Sequence, residues 1–424
     1  MVSTADLGRW NAELVLGRLY DRRARSNAEL ARRTGLSRST VERALDLLAE
    51  RGLVAKSAPV ALPSGRPAAL YRLRPEAGCL VAVDVGAHTV RVRVDDLAGP
   101  GGAEHEPEPV RVDPADPADK RLAAVDALVD RALADAGAGA ERVRAVTVGT
   151  PGIVDAGGTV VACRVIRSGD WVGSRLRSRV AERFPGAAVT VDNDANLAVL
   201  GEQRFGVAGG AREIVAVFAG RRVGFGIVHG GRLHRGAHHQ AGEAANIRDS
   251  WWGRANDWLR GHQDVAPQLF AAAADGQPAA LEQTAELGRL LGMAFAEVVH
   301  TVDPELIVLG GAVSLAGAAV LDPVAEHFKR ACRDTTAPPL VLSTLGRRPV
   351  LLGAAESARR TAFTHLLDGH PAGAHPYEPA GAYPYGDGGR RPHPLDPDGA
   401  KEPDGDKERE APYLSDNTPP GSLR

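Results

Sequence analysis

Apolar positions follow two rhythms along the chain, and the change between them falls near residue 78. Before it, short helical spacings alternate with turn residues. Ser26-Asn27-Ala28-Glu29 has the form of a capping box, with the Ser hydroxyl accepting from the Glu29 amide and the Glu carboxylate reaching back. Leu30 and Ala31 then mark the buried side of a short helix, which Thr34-Gly35-Leu36 ends. Ser37 opens a second helix whose Val41, Ala44, Leu45 and Leu48 stand at i, i+3, i+4 and i+7, one apolar stripe closed by Gly52. The stretches "LVAK" and "ALYRL" read as two strands about a loop from Ser57 to Pro67.

From Cys79 onward, buried strands alternate with helices. "CLVAVDVG" ends in Asp84 and Gly86, and "TVRVRVDDLAG" is a second strand closed by a turn. Leu122, Val125, Leu128 and Val129 give residues 120 to 136 a helical spacing. "VRAVTVGTPGIVD" runs from a strand into a Pro-Gly loop, "AVTVDNDANLAVLGE" from a strand through a polar corner into a helix, and "PELIVLGGAV" repeats the strand-to-glycine form. Strands that empty into Gly or Asp loops before helices predict an α/β body with ligands at the strand C-termini. After about Leu367 the chain is polar, rich in Pro and Gly and without period. Such a segment buries too little apolar surface to offset its chain entropy, so residues 367–424 are expected to be a disordered tail.

Composition narrows the class. The 424 residues are 44% apolar and 25% charged, which fits a soluble globular protein of two or three domains. No apolar run reaches the ~18 residues of a membrane span, and no signal peptide is expected. Cys79, Cys163 and Cys332 are odd in number and far apart, so a disulfide framework is not expected and a reducing cytoplasm is. The net charge of −2 conceals a division: residues 1–75 hold 14 Lys/Arg against 7 Asp/Glu, and the remainder 37 against 46. A basic head on an acidic body points the head at a polyanion.

The head's polar residues agree. Two short helices about a Gly turn match a DNA-reading helix-turn-helix, and the strand pair after them is its wing. Arg38, Ser39, Thr40 and Arg43 lie on the outer face of the second helix, where an arginine can bond guanine bidentately. Arg66, between Gly65 and Pro67, stands at the wing tip, slim enough for a minor groove.

The stretch "IVAVFAGRRVGFGIVHGGRL", Ile214 to Leu233, raises a harder question. A strand empties into a loop carrying Gly220, Gly224 and Gly226, the kind of backbone that wraps phosphate, yet Arg221 and Arg222 fill its centre. Three readings are open for them: solvated surface, a grip on an anion, or a plug in the cleft that the loop borders.

The segments "VAVDVGAHTVRVRVDDLAG", "VGTPGIVD", "VDNDANLAVLGE", "GIVHGGRLHRGAHHQAGE" and "DPELIVLGGAV" together resemble the ROK family (repressor, open reading frame, kinase), sugar kinases and sugar-responsive repressors on the two-lobed actin-like ATPase (ribonuclease H-like) fold. The likeness spans about residues 10–365, including the repressor-type head. It implies that Asp194 stands where the kinases keep their general base, with Asn193 on the sugar and Glu243 clamping neighbouring hydroxyls; Thr150 and Gly152 would face the same cleft. The kinase pattern Asp-x-Gly-Gly-Thr is reduced to Asp84-Val85-Gly86-Ala87-His88, and Gly-Thr-Gly-x-Gly to Gly220-Arg221-Arg222-Val223-Gly224. Phosphoryl transfer needs nucleotide, magnesium and acceptor positioned together, so no kinase activity and no cofactor are expected. The family's structural zinc is expected to be missing as well. Asn246, also counted among the effector contacts, replaces its His, and no Cys follows before Cys332. His234, His238 and His239 are read as hydrogen-bonding loop residues, not metal ligands.

The resulting expectation has three parts: a winged helix-turn-helix over 1–75; a sugar-kinase-like body over 78–365 (small lobe about 78–195 plus 351–365, large lobe about 196–350); and the tail. Its function would be that of a DNA-binding regulator, a repressor, which senses a carbohydrate or sugar phosphate and reads a palindromic operator as a homodimer or homotetramer. The competing expectation is an ATP-dependent sugar kinase with a fused head; a third is a regulator that no longer senses sugars.

Overall fold

The computed structural model describes residues 4–59, 67–99, 102, 104–333 and 336–368. The head begins with a helix α1 (Thr4–Leu19), followed by β1 (Arg25–Ser26), α2 (Asn27–Thr34), α3 (Arg38–Glu50), β2 (Val54–Lys56) and β3 (Leu70–Leu73). Ser26 caps α2 by accepting from Glu29 N at 3.2 Å. The Glu29 carboxylate departs from the capping-box expectation: it pairs with Arg25 Nε at 3.3 Å. Arg25, almost fully buried, draws that carboxylate away from the Ser26 amide. Gly35 closes α2 in the left-handed region at φ 72°, donating its amide to Ala31 O. The three strands pair antiparallel in the order β1-β3-β2. The wing residues 60–66, Arg66 among them, lie outside the described residues.

The body holds two five-stranded sheets of one topology. In the first, β4 (Cys79–Val85), β5 (Thr89–Asp96) and β6 (Val110–Arg111) run antiparallel in succession, while β7 (Val143–Thr150) and β10 (Ala188–Asn193) lie parallel on the other side of β4, giving the order β10-β7-β4-β5-β6. A small hairpin, β8 (Ile153–Val154) with β9 (Val160–Ala162), follows β7. Helices α4 (Ala118–Asp135) and α5 (Leu176–Arg183) belong to this lobe, and α6 (Asp194–Phe205) leaves the end of β10. The second sheet repeats the plan with β11 (Ile214–Ala219), β12 (Val223–His229), β13 (Arg232–Leu233), β14 (Leu306–Gly310) and β15 (Leu340–Leu342), in the order β13-β12-β11-β14-β15. Helices α7 (Trp251–Gly261), α8 (Ala266–Ala274), α9 (Pro278–Val302) and α10 (Ala318–Cys332) cover it, and α11 (Pro349–Asp368) ends the described chain. Among the described residues no helix is long and apolar enough to cross a membrane.

Helices α6 and α11 cross where the lobes meet, with backbones closer than any side chain allows. A Cβ on Gly353 would fall 1.6 Å from Leu197 O, and one on Gly201 would fall 2.3 Å from Pro349 O. Beside the crossing, the buried Glu356 carboxylate takes Arg359 at 2.8 and 2.5 Å and Arg360 at 2.7 Å, with Arg204 of α6 at 3.8 Å. These guanidiniums outweigh the cost of burying the carboxyl and hold it far below the usual carboxylate range.

The C-terminal helix also reaches the head. One apolar cluster joins Ala12, Val15, Leu16 and Leu19 of α1 with Ala358, Ala362, Phe363 and Leu367 of α11. Tyr20 packs edge-on against Phe363 at 5.8 Å. Thr364 donates to Glu13 at 3.1 Å, Arg9 pairs with Asp368 at 3.2 Å, and Arg51 donates to Leu366 O. Leu367, at 2% exposure, is therefore a core residue of the head junction, although the expected tail was to begin there. Residues 369–424 lie outside the described residues.

Candidate functional site

The candidate reading face of the head is on α3. Ser37 caps it by accepting from Thr40 N at 3.1 Å, and its hydroxyl meets those of Ser39 and Thr40 at 3.0 and 2.8 Å. Asn27 donates to Arg38 O at 3.1 Å, which fixes the start of α3 against the start of α2. Val41, Ala44, Leu45 and Leu48 are buried, whereas Arg38, Ser39 and Arg43 are exposed and Thr40 is half-buried. Among the described residues neither Arg38 nor Arg43 has an ion-pair partner. An exposed guanidinium at the start of a helix, with no internal carboxylate to neutralise it, remains available for phosphate or guanine.

The second region is the end of the inter-lobe cleft at the start of α6. Asn193 caps the helix, its Oδ1 accepting from Ala195 N at 2.8 Å and Asn196 N at 3.2 Å, while its Nδ2 donates to Gly152 O at 2.9 Å. Gly152 adopts φ 103°, and a Cβ there would meet Ala162 O at 2.2 Å. The Pro-Gly loop, the segment after β9 and the Asn193 corner are thus one tightly fitted unit. Thr150 departs from the expected position facing the cleft. It is fully buried, and the Trp171 indole donates to its hydroxyl at 3.3 Å, so it supports the loop from below.

Three carboxyls gather here. Burial pushes Asp194 up to about 6, against the pull of the Ala195 amide, and the nearby Glu243 adds to the rise. Asp84, at the end of β4, is pushed up to about 7 by burial and by Asp194, with Arg91 opposing. Burial likewise raises Glu243, which accepts from Asn246 Nδ2 at 2.5 Å and feels Arg164. Carboxyls half-shielded from water in a cleft, poised between donor and acceptor forms, suit the hydroxyls of a carbohydrate. Asn193, Asp194, Gly152, Glu243 and Asn246 therefore assemble at one place.

The phosphate-loop positions fare differently. Gly86 donates to Thr89 O at 2.9 Å, making a tight turn from β4 into β5. Gly220 donates to Arg222 O at 3.0 Å, so the β11–β12 connection is a short hairpin turn. Gly224 and Gly226 serve packing: a Cβ on the first would stand 3.1 Å from Ala195 Cβ, and one on the second 2.4 Å from Ala195 O. These glycines let β12 lie against the first turn of α6. Arg221 is exposed, 3.8 Å from Asp264, and Arg222 is half-buried.

Some contributors escaped the sequence reading. Arg121 is fully buried and donates to Gly86 O at 2.7 Å, Ala87 O at 3.3 Å and Asp113 O at 2.6 Å, holding the first loop from beneath. Its signal was present: Arg121 shares the spacing of Val125 and Leu128, a charge on an apolar stripe. Asp192 is buried and receives Arg235 at 2.9 and 2.7 Å as well as Asn196 at 2.9 Å, which ties the large-lobe loop to α6. Cys163 is half-buried, and Cys79 and Cys332 are buried. Zinc does not fit the residues present. Asn246 spends its amide on Glu243, and no group of three His, Cys, Asp or Glu side chains able to hold a metal occurs among the described residues.

Fold and site together define a helix-turn-helix head fixed to a two-lobed, sugar-kinase-like body. The ROK family profile matches residues 80–248 and 250–361, and the chain belongs to that family. An IclR helix-turn-helix domain matches residues 14–58. The chain is 22% identical to the xylose repressor of Caldicellulosiruptor bescii over 351 residues, 74% of this chain and 86% of the relative. It is 28% identical to the glucokinase of Streptomyces coelicolor over 324 residues, 66% of this chain and 98% of the relative. Among solved structures, a ROK family transcriptional regulator, a homolog of the E. coli MLC protein, shares the fold with a TM-score of 0.63 at 20% identity, over 85% of this chain and 98% of its own. A ROK glucokinase from Streptomyces griseus, in complex with glucose and AMPPNP, matches with a TM-score of 0.55 at 28% identity, over 67% and 100%.

Proposed function

We propose that the chain is a DNA-binding transcriptional repressor whose body senses a carbohydrate or sugar phosphate and transfers no phosphoryl group. The observation that carries this is the continuity of packing. The corner bearing Asn193 and Asp194 opens α6, α6 crosses α11 at Gly353, and α11 shares its apolar cluster with α1, which packs on α3. A ligand seated near Asp194 and Glu243 favours one closure of the lobes, and α6 conveys that closure to the head. The ligand's differential affinity for the two closures is the switch.

Domain limits of 1–75 and 78–365 go with this reading, as does a homodimer or homotetramer presenting paired heads to a palindromic operator in the cytoplasm. The similarity to a xylose repressor supports a regulator that answers to a sugar. Loss of chemistry is supported by Ala87 and His88 in the first phosphate loop and by Arg221 and Arg222 in the second.

The second reading, an ATP-dependent sugar kinase with a fused head, draws on the similarity to glucokinases. Two assays on the full chain separate them. Selection of genomic fragments should return a discrete, two-fold symmetric site, and Arg38→Ala or Arg43→Ala should each weaken its binding by roughly 10- to 100-fold. Turnover with magnesium-ATP and a panel of hexoses and pentoses should stay at background; clear turnover abolished by Asp194→Asn would establish the kinase instead.

A further inference from the structure

Arginines from both lobes crowd the phosphate-loop end of the cleft. On the large-lobe side, Asn256 Oδ1 accepts from Val223 N at 3.2 Å and pins the β11–β12 turn to α7. Arg260, four residues further along α7, shares that face of the helix and so stands beside the turn. Arg222 rises from the same turn and is half-buried. Burial first, then Arg260 and Arg164, hold it below the usual arginine range. On the small-lobe side, Cys163 lies against Gly152, where a Cβ would meet Cys163 Cβ at 3.0 Å. Gly152 O in turn takes Asn193 Nδ2. Arg164, the next residue, is thereby held at the rim of the Asn193–Asp194 corner, near enough to act on Glu243 as well as on Arg222.

Among the described residues, Arg164 and Arg222 have no ion-pair partner, and Arg260 has only the exposed Asp257 at 3.1 Å. Three guanidiniums gathered from two lobes repel one another, and an anion held by several of them removes that repulsion through charge-assisted hydrogen bonds. The Glu243 carboxyl is near enough to feel Arg164, and Glu243 in turn acts on Asp194. The cleft is therefore bipolar, with acceptors for hydroxyls at one end and forks for an anion at the other.

We infer that the effector is an anionic sugar, a sugar phosphate or a sugar acid, whose anionic group lies between Arg164, Arg222 and Arg260 and draws the lobes together. This rests on the carbohydrate-sensing reading above and adds the charge of the ligand to it.

The test uses the full-length protein and calorimetric titration with matched ligands: glucose, glucose 6-phosphate and glucuronate; xylose and xylose 5-phosphate; N-acetylglucosamine and its 6-phosphate; and inorganic phosphate alone. At least one anionic member is expected to bind 10-fold or more tightly than its neutral parent. Arg222→Gln and Arg164→Gln should each erase that preference, and Arg222→Lys should keep part of it, which excludes misfolding as the cause. Arg330→Gln, a remote exposed arginine on α10, should retain the full preference. Neutral sugars binding as tightly as their anionic partners, or a preference that survives both glutamine variants, would overturn the inference while leaving carbohydrate sensing intact. No response to any sugar, neutral or charged, would overturn both.

Discussion

The two ends of the inter-lobe cleft have kept very different amounts of their sequence pattern, and the packing around each accounts for the difference. At the sugar end, Asn193 is bound three times over, Asp192 is locked by Arg235, and the whole corner opens a helix that crosses α11 backbone to backbone. Changing any of these residues disturbs the lobe junction, so the corner is a structural element whatever it binds. At the phosphate end, Arg221 projects into solvent from a hairpin turn that any tight connection would satisfy. Gly224 and Gly226 persist for a reason unrelated to phosphate, the close approach of β12 to Ala195. Packing constrains the residues at one end of the cleft and leaves those at the other unconstrained.

Substitutions at the α6–α11 junction behind the Asn193 corner and at the β11–β12 turn should therefore have very unequal effects. Glu356→Ala leaves the buried Arg359 without its carboxylate and should cost about 3–5 kcal/mol in urea denaturation. Arg221→Ala removes an exposed pair with Asp264 and should cost under about 1 kcal/mol. Comparable losses at the two sites would break the comparison. Next in size, Asp194→Asn should lower the affinity for a bound sugar by roughly 10- to 100-fold, since hydrogen bonds to a charged acceptor contribute about 1.5–3 kcal/mol. Titration calorimetry reads this directly.

The pH dependence should carry opposite signs in the two sets of buried carboxyls. Glu356 is depressed, so its contribution is present above the ordinary glutamate range and is lost as pH falls through and below it. Asp84 is raised to about 7, so its ionisation opposes folding, and stability declines as pH rises from about 4 toward 7. Asp84→Asn should accordingly raise the melting temperature by about 2–4 °C at pH 8 and have little effect at pH 4. A smaller effect still is expected from rebuilding the second phosphate loop. The double change Arg221→Thr, Arg222→Gly should leave ATP turnover at background, because Ala87 and His88 still occupy the first loop. Turnover appearing in that variant would show that the loop alone had been the obstacle.

Much of the fold was legible because its signals are local. The Ser26 and Ser37 caps, the Gly35 turn, the Val41–Leu48 stripe and the strand-to-glycine runs each depend on a few neighbouring residues. The described structure shows two sheets of one strand order, 3-2-1-4-5 in each lobe. What escaped the reading is pairing across long separations. The partners of the α1 stripe lie in α11 at the other end of the described chain, so neither helix alone announces the junction. Arg235 meets Asp192 across 43 positions, and Thr150 is taken inward by Trp171, 21 residues away. Arg121 shares the apolar spacing of Val125 and Leu128, but the carbonyls of Gly86, Ala87 and Asp113 that give it a buried site come from separate segments.

The account turns on the cleft and the reading helix being coupled. The direct measurement is the affinity of the full-length protein for its selected operator, titrated with neutral and anionic sugars, in the native chain and in Asp194→Asn. At least one sugar should change operator affinity by 10-fold or more in the native chain and leave the variant unmoved. An operator affinity indifferent to every sugar, or one that shifts equally in both proteins, would contradict it.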